Sequence, residues 1–190
     1  EYQKVPVTIC FNKCDLVSEE EKENLQKIYA PAGYDILFTS VKTGENIDRL
    51  KALLAEKTTT VAGPSGVGKS SLINELQTGV RMQTGAISDK IGRGKHTTRH
   101  SEIISIGQDT YIMDTPGFSS MDLPGFEKED LWTCYPEFVP YEPECRLIGC
   151  SHIGEPDCGV KNALAEGKIN QVRYDNYVML YEEMKNIHKY

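Results

Sequence analysis

One eight-residue segment constrains the fold of this 190-residue chain more than any other. It follows a β-branched run at 58–62, which predicts a strand, and it precedes a helical pattern that carries Leu72, Ile73 and Leu76. The segment matches the phosphate-loop pattern G-x-x-x-x-G-K-[ST] in full, in the strand–loop–helix context that this motif requires. Backbone N–H groups of such a loop surround phosphates at a helix N-terminus. We therefore expect a nucleotide phosphate site built from Gly63, Pro64, Ser65, Gly66, Val67, Gly68, Lys69, Ser70 and Ser71.

The pattern around this loop predicts an α/β fold. Predicted strands lie at 5–11, 36–39, 58–62, 102–106 and 110–114. The first three alternate with amphipathic helices, an order typical of a three-layer domain with a mostly parallel sheet. The last two flank a tight turn that we place at Gly107-Gln108. Between the two groups, the segment 78–101 has no periodicity and is predicted to be a long functional loop.

The character of the chain changes after residue 122. The strand alternation stops, and helices are predicted at 130–138, 160–165 and 168–189. The last helix carries an apolar stripe of Ile169, Val172, Leu180, Met184 and Ile187. The sequence therefore predicts a nucleotide-binding domain at 1–122 and a small, mostly helical domain at 123–190.

The composition excludes several classes of protein. A hydrophobic content of 39% and a mean hydropathy of −0.43 indicate a globular chain rather than a disordered one. No stretch approaches the roughly 18 apolar residues that a membrane span needs, and the N-terminus lacks the apolar segment of a signal peptide. We expect a cytoplasmic monomer with no membrane partner. The net charge of −7 argues against a surface coated in positive charge for nucleic acid, although it leaves room for a local basic patch.

Two further motifs indicate guanine as the base. Asn12-Lys13-Cys14-Asp15 follows the first predicted strand, and Ser40-Val41-Lys42 follows the second. An aspartate at a strand end can accept hydrogen bonds from N1–H and N2–H₂ of guanine, a pair of donors that adenine lacks. The stem of Lys13 can cover one face of the base. Backbone N–H groups at 40–42 would reach O6, with Ser40 bracing Asp15.

A magnesium site is predicted from three segments. The hydroxyl of Ser70 would bind Mg²⁺, while Lys69 neutralises the phosphate oxygens. Asp114-Thr115-Pro116-Gly117 places a carboxylate at a strand end for the metal, and it offers the N–H of Gly117 to the γ-phosphate. In the long loop, Thr98 is the hydroxyl expected to meet Mg²⁺ only in the triphosphate state, with Thr97 as the second candidate.

A cysteine and histidine cluster predicts a second metal site. It has the form C-x₄-C-x-H-x₅-C and consists of Cys145, Cys150, His152 and Cys158. Three thiolates and one imidazole fill a tetrahedral Zn²⁺ shell and leave no position open, so we expect one structural zinc per chain. Zinc binding would contribute on the order of 10 kcal/mol to the folding of this segment. The other cysteines have no partner pattern and are expected to be buried thiols: Cys10, Cys14 and Cys134.

The motifs resemble those of GTPases, but they occur in an unusual order. Guanine motifs at 12–15 and 40–42 precede phosphate motifs at 63–70 and 114–117. This circular permutation, together with the zinc pattern, resembles the RsgA (YjeQ) family of bacterial GTPases over nearly the whole chain. The resemblance implies a circularly permuted P-loop GTPase with GTP, GDP, the small ribosomal subunit and its rRNA as partners. It also implies a preceding oligonucleotide-binding barrel, so we expect this chain to be a piece of a longer protein.

The sequence offers few candidates for the groups that catalyse hydrolysis. Many small GTPases have a glutamine just after D-x-x-G that orients the attacking water, whereas this chain has Phe118. His96 is the nearest candidate to replace it, because a neutral imidazole can hydrogen-bond water. The alternative is that His96 is an ordinary surface residue. Our candidate catalytic residues are therefore Thr98, His96 and Lys69.

The function implied by the resemblance is hydrolysis of GTP during late assembly of the small ribosomal subunit. That subunit would stimulate turnover by a factor of about 10³–10⁵, as GTPase activators do, and the nucleotide state would control release from it. One alternative is a weakly hydrolysing, GTP-gated module that binds the ribosome or RNA. Another is a permuted GTPase of large-subunit assembly. A basic patch in the long loop is either solvated or in contact with RNA phosphates: Lys90, Arg93, Lys95 and Arg99.

Overall fold

The computed structural model describes residues 4–84, 102–114 and 126–187, and their contacts form two compact units. We call residues 4–9, 19–36 and 126–187 the helical unit, and residues 10–18, 37–84 and 102–114 the sheet unit. The segment 19–36 thus groups with C-terminal residues, although the sequence assigned it to the first domain. The division of the chain at residue 122 stays a prediction. Within the described ranges, every helix is too short or too polar to cross a membrane.

The strands form two small sheets. Their bounds are β1 Thr8–Asn12, β2 Asp35–Thr39, β3 Thr58–Val61, β4 Glu102–Gly107 and β5 Thr110–Asp114. β1 pairs with β2, and a separate three-stranded sheet has the order β3-β5-β4. β3 runs parallel to β5, with Val61 beside Asp114, whereas β4 runs antiparallel to β5. The α/β fold with parallel strand segments is therefore confirmed, but the three-stranded sheet is mixed because a hairpin forms its edge.

The turn of this hairpin lies one residue later than predicted. Gly107 pairs with Thr110, so the turn residues are Gln108 and Asp109. Asp109 adopts the left-handed conformation, with φ of 51°, which aspartate tolerates better than most residues. The hydroxyl of Thr110 donates to the carbonyl of Gln108 at 2.8 Å and accepts the N–H of Glu56 at 3.0 Å, which fixes the turn.

Five α-helices and several 3₁₀ segments complete the described structure. The α-helices are α1 Glu19–Tyr29, α2 Ile47–Leu54, α3 Lys69–Thr84, α4 Gly159–Ala165 and α5 Gln171–Ile187. Because α3 extends to Thr84, the prediction of a loop from residue 78 is wrong over 78–84. The predicted α-helix at 130–138 is also wrong, since this region forms 3₁₀ helices at Lys128–Cys134 and Val139–Glu144. Prolines at 136, 140 and 143 remove backbone donors there and restrict the residues before them.

The sheet unit has an apolar core that fixes the start of α3. Its buried members come from α2, α3, β4 and β5: Ile47, Leu54, Ile73, Leu76, Ile106 and Ile112. α3 packs against β4 through this core, while β3 leads directly into the phosphate loop. The N-terminus of α3 is therefore held in place by residues that the loop itself does not contain.

The helical unit has a separate core, which is mainly aromatic. Its buried members include Phe126, Leu131, Tyr135, Phe138, Val160, Ile169 and Tyr177. The predicted stripe on the last helix is wrong at Val172 and Leu180, which are 45% and 38% exposed. α5 instead buries Tyr177 and packs Tyr174 and Tyr181 against the core. The sequence pattern treated tyrosine as polar, although its ring buries a large apolar area.

The three cysteines outside the predicted zinc pattern differ in burial. Cys14 is buried and Cys134 is partly buried, but Cys10 is exposed, so the prediction of a buried thiol is wrong there. Alternation of side chains along β1 explains this, because successive residues of a strand face opposite sides.

Candidate nucleotide and metal sites

A cavity of about 350 Å³ in the sheet unit brings both guanine motifs to the start of α3. Its volume lies in the range usual for small-molecule sites. The lining residues are Asn12, Lys13, Asp15, Leu16, Ser40, Val41, Lys42, Gly68 and Ser71. All of them except Leu16 were predicted as GTP contacts, so the structure brings distant parts of the sequence prediction together.

The carboxylate of Asp15 is oriented by neighbours from the second guanine motif. The hydroxyl of Ser40 donates to Oδ1 at 2.7 Å, and Nζ of Lys42 lies 3.5 Å from Oδ2. The expected contact between Ser40 and Asp15 is thereby confirmed. The hydrogen bond from Ser40, assisted by Lys42, lowers the pKa of Asp15 below its ordinary value. The group is therefore an anion near pH 7 and suits a ligand that presents two N–H donors side by side.

The first guanine motif is also bonded directly to the phosphate loop. Nδ2 of Asn12 donates to the carbonyl of Val67 at 3.0 Å, and Nζ of Lys13 donates to the carbonyl of Gly66 at 2.7 Å. The stem of Lys13 consequently stretches along one side of the cavity. Lys13 itself has a φ of 64°, in the left-handed region, which turns the chain sharply at the end of β1.

Glycines give the phosphate loop its shape. Gly66 and Gly68 have φ of +83° and +97°, values that residues with a side chain rarely adopt. A Cβ on Gly68 would in addition collide with Nδ2 of Asn12. Lys69 is the first residue of α3, and its Nζ donates to the carbonyls of Gly63 and Pro64 at 2.5 and 2.9 Å. The ammonium group therefore lies over the loop and close to the helix N-terminus, where an anion is favoured.

The predicted zinc ligands also converge, within the helical unit. The ligand atoms of Cys145, Cys150, His152 and Cys158 all lie within 4.8 Å of one another. Sγ of Cys145 is 3.8 Å from Sγ of Cys158, and these two sulfurs are 3.5 and 3.4 Å from Nδ1 of His152. A tetrahedral zinc with ordinary bond lengths requires about 3.8 Å between two sulfurs and about 3.5 Å between sulfur and nitrogen. The donor set and its spacing therefore fit zinc, with Nδ1 as the ligand atom.

Burial makes this cluster a poor place for thiolates unless a cation is close. Burial raises the pKa of Cys150 to about 12, and it also raises the pKa of Cys158. Burial lowers the pKa of His152, whose side chain is fully enclosed, so the imidazole is neutral and can act as a ligand. A bound divalent cation favours deprotonated thiols strongly enough to reverse this preference.

Hydrogen bonds from outside the cluster fix the backbone that carries it. Hydroxyls of Tyr174 and Tyr177 on α5 donate to the carbonyls of His152 and Ser151 at 2.7 and 2.8 Å. Glu155 accepts the N–H of Ser151 at 2.8 Å and that of Ile153 at 3.2 Å. Burial alone would raise the pKa of Glu155, but these hydrogen bonds outweigh it and lower the pKa to about 2.

Comparison with known proteins identifies the family. The sequence model of the RsgA GTPase family matches residues 1–124, which include both guanine motifs and the phosphate loop. The chain belongs to the RsgA GTPase family. Relatives of the chain carry the same name. A small ribosomal subunit biogenesis GTPase RsgA from Agathobacter rectalis is 73% identical over 190 residues, which is all of this chain and 63% of that protein. One from Clostridium perfringens is 47% identical over 186 residues, or 98% of this chain and 64% of that protein.

Solved structures of related proteins have the same fold. YjeQ from Thermotoga maritima superposes with a TM-score of 0.76 at 34% identity, over 96% of this chain and 61% of that one. YloQ, described as a circularly permuted GTPase, has a TM-score of 0.70 at 31% identity, over 96% and 58%. The chain spans roughly three-fifths of the length of the RsgA proteins that it matches, 63% of the one from Agathobacter rectalis.

Several site residues predicted from the sequence motifs are not placed in the cavity. Thr98, His96 and Gly117 lie outside the described residues, as do Thr97, Phe118 and the basic patch. The backbone of Asp114 ends β5 beside Val61, two residues before the phosphate loop begins. Cys14 is buried beneath its loop and does not line the cavity.

Sequence reasoning missed two residues in or next to the candidate nucleotide site. Leu16 is 69% exposed and lines the cavity beside Asp15, where it offers an apolar surface to a flat ring. A large exposed aliphatic residue directly after the guanine motif was the available signal. Thr39 is fully buried at the end of β2, and its hydroxyl lies 3.4 Å from Oδ1 of Asn12. This bond orients the side-chain amide of Asn12 so that Nδ2 faces Val67. No sequence pattern indicates this role of Thr39.

Proposed function

We propose that this chain binds GTP and hydrolyses it with Mg²⁺, as part of a protein that assists maturation of the small ribosomal subunit. The observation that carries the proposal is the pair of side-chain bonds from Asn12 and Lys13 to the phosphate-loop carbonyls. These bonds join the guanine motif to the phosphate loop within one unit, which supports a base site beside a phosphate site. The ribosomal role is supported by family membership and by relatives named small ribosomal subunit biogenesis GTPases.

The base site selects guanine through Asp15. Asp15 lines the cavity and Ser40 fixes one of its oxygens, so the carboxylate can accept N1–H and N2–H₂ of the base. Adenine would leave this carboxylate without donors and is disfavoured for that reason. The stem of Lys13 and the side chain of Leu16 provide apolar contacts for the ring.

The phosphate site uses charge and backbone dipoles. Lys69 neutralises phosphate oxygens, and N–H groups at the start of α3 donate to them. Ser70, Asp114 and Thr98 are the proposed magnesium ligands, and Gly117 is the proposed donor to the γ-phosphate. Magnesium bound there would neutralise charge that develops on the phosphate oxygens.

Water activation is assigned to residues of the segment between the phosphate loop and D-x-x-G. His96 and Thr98 are the residues of this chain proposed to position the attacking water, with Lys69 stabilising the phosphate charge. Because Phe118 cannot hydrogen-bond, we expect slow turnover by the chain alone and faster turnover with small ribosomal subunits. Release from the subunit would depend on the bound nucleotide.

Zinc bound by Cys145, Cys150, His152 and Cys158 would have a structural role. The supporting observation is the spacing of the four donors, which are enough to fill a tetrahedral zinc shell. In this proposal, residues 1–122 form a three-layer GTPase domain and residues 123–190 form the mostly helical zinc domain. Assembly of ribosomal subunits would place the protein in the cytoplasm.

The proposal is tested by GTP turnover with and without purified small subunits. We expect GDP and GTP to bind, ADP to bind far more weakly, and turnover to rise when small subunits are added. Lys69→Ala should abolish turnover in both conditions, while Lys57→Ala, remote from the cavity, should behave like wild type. Binding without turnover in either condition would favour the GTP-gated module, and stimulation by large subunits alone would favour large-subunit assembly.

A further inference from the structure

The imidazole of His152 has an unusual environment on the side away from the cysteines. Its Nδ1 is directed at two sulfurs, so Nε2 faces the opposite side of the ring. Nε2 is buried and has no hydrogen-bond partner among the described residues. A histidine that binds a metal normally donates its second N–H to a carboxylate, a carbonyl or water. Here that position needs another explanation.

Aromatic rings occupy the space around this imidazole. Trp132 and Phe138 have centroids 6.0 and 6.2 Å from the imidazole centroid and lie at 81° and 80° to its plane. Tyr177 lies 6.3 Å away at 52°. The negative face of an aromatic ring attracts an N–H donor, and more strongly when the imidazole carries charge from a bound cation.

We propose that Trp132, Phe138 and Tyr177 form an aromatic cage that positions His152 for zinc, with Nε2–H directed to a ring face. The cage fixes the neutral tautomer that leaves Nδ1 free to coordinate. A polar side chain in the same place would need further hydrogen-bond partners in this enclosed core, whereas an aromatic ring does not. Trp132, Phe138 and Tyr177 are therefore positioning residues, acting on the metal through His152.

Backbone contacts to the same helix support this assignment. His152 has a φ of 59°, in the left-handed region that few residues with a side chain adopt, and hydrogen bonds from α5 hold the backbone there. The hydroxyl of Tyr177 donates to the carbonyl just before His152, while its ring forms one wall of the cage. The hydroxyl of Tyr174 donates to the carbonyl of His152 itself. α5 thus fixes both the backbone and the ring of this ligand.

The inference rests on the proposed zinc site, and its test separates the two. The full 190-residue chain is loaded with zinc, its metal content is measured, and its histidine side chains are assigned by ¹H–¹⁵N NMR. We expect one zinc per chain, coordination by Nδ1 of His152, and an Hε2 resonance displaced upfield by the ring currents of the cage. Wild-type protein that takes up no zinc would refute the zinc site and the cage together.

Two substitutions of the single tryptophan then test the cage alone. Trp132→Leu removes a ring face from a partly exposed position, whereas Trp132→Phe retains one. We expect Trp132→Leu to shift Hε2 downfield and to speed zinc release to a chromogenic chelator about tenfold, the usual scale for a residue that supports a metal ligand. Trp132→Phe should stay close to wild type, and Val178→Ala, which trims the same core, should lower stability without moving Hε2.

Several results would overturn the cage. For the wild-type protein, coordination of zinc by Nε2 of His152 would do so. An Hε2 resonance at the chemical shift of an ordinary hydrogen-bonded N–H would also do so. The wild-type spectrum decides these points even if Trp132→Leu fails to fold. Among the variants, equal zinc-release rates for Trp132→Leu and Trp132→Phe would show that the ring face does not position the ligand.

Discussion

Replacing Ser40 with alanine tests how the cavity recognises its base. The side chain is fully buried, and its hydroxyl donates to Asp15 at 2.7 Å while accepting the N–H of Thr43 at 3.2 Å. The substitution removes the donor that contributes most to the lowered pKa of Asp15. It also leaves the Thr43 N–H without this acceptor. The carboxylate then has more rotational freedom and a pKa closer to its ordinary value.

The expected loss follows from the geometry. The hydrogen bond from Ser40 holds the Asp15 carboxylate in one orientation, and the loss of a bond to a charged group that lines an open cavity should lower the affinity for GDP by about one order of magnitude. Inosine diphosphate lacks the N2 amino group, so it depends less on the orientation of Asp15. Its affinity should therefore fall by a smaller factor than that of GDP.

Isothermal titration calorimetry with both nucleotides measures this difference. Ser105→Ala is the matched control, because it removes an exposed hydroxyl outside the cavity, and it should leave both affinities unchanged. Equal losses for GDP and inosine diphosphate would mean that Ser40 supports the loop without orienting Asp15. Unchanged GDP affinity would refute the reasoning altogether.

Three further predictions concern backbone strain, a buried ion pair and pH. Gly68→Ala should weaken GDP binding more than Gly44→Ala. Both glycines have a left-handed φ, but only a Cβ on Gly68 would collide with Asn12. Equal losses of GDP affinity in calorimetry would contradict this prediction. Arg173→Met should cost about 3–5 kcal/mol in chemical denaturation by leaving Glu137 buried and unpaired, and adding Glu137→Leu should recover most of that loss. Glu155→Gln should destabilise the chain at pH 7. The folded pKa of Glu155 is about 2, below the ordinary 4.5. The difference in free energy of unfolding between wild type and variant should therefore persist above pH 4.5 and shrink as the pH falls towards 2. A constant difference over that range would contradict this prediction.

Motifs with a fixed local geometry were predictable from sequence. A phosphate loop needs a strand before it and a helix after it, so the pattern correctly predicted a helix that carries Leu72, Ile73 and Leu76, which is α3. The guanine motifs were likewise placed at strand ends, and the contact of Ser40 with Asp15 followed from the chemistry of the pair. In the zinc pattern, spacing gave the donors but not which nitrogen of His152 would face them.

The remaining features depend on packing between distant segments. The buried face of α5 is set by which rings fill the core, so Tyr177 is enclosed while Leu180 is exposed. Thr39 reaches Asn12 only because β1 and β2 are neighbours in one sheet. The local apolar pattern predicted an α-helix at 130–138, but three nearby prolines disfavour it and 3₁₀ helices form instead.

The bonds of Asn12 and Lys13 to the phosphate loop have a consequence for how the sheet unit folds. They join residues that are 55 and 53 positions apart in the sequence, so each bond closes a long loop of the chain. Contacts of this range form late, because the entropy of loop closure is lost before their energy is gained. During synthesis the guanine motifs at 12–15 and 40–42 leave the ribosome before the phosphate loop at 63–70, so the site can form only after the loop has been made. A nucleotide that binds both the guanine motifs and the phosphate loop would then stabilise the closed chain by mass action, and so act as a folding ligand as well as a substrate.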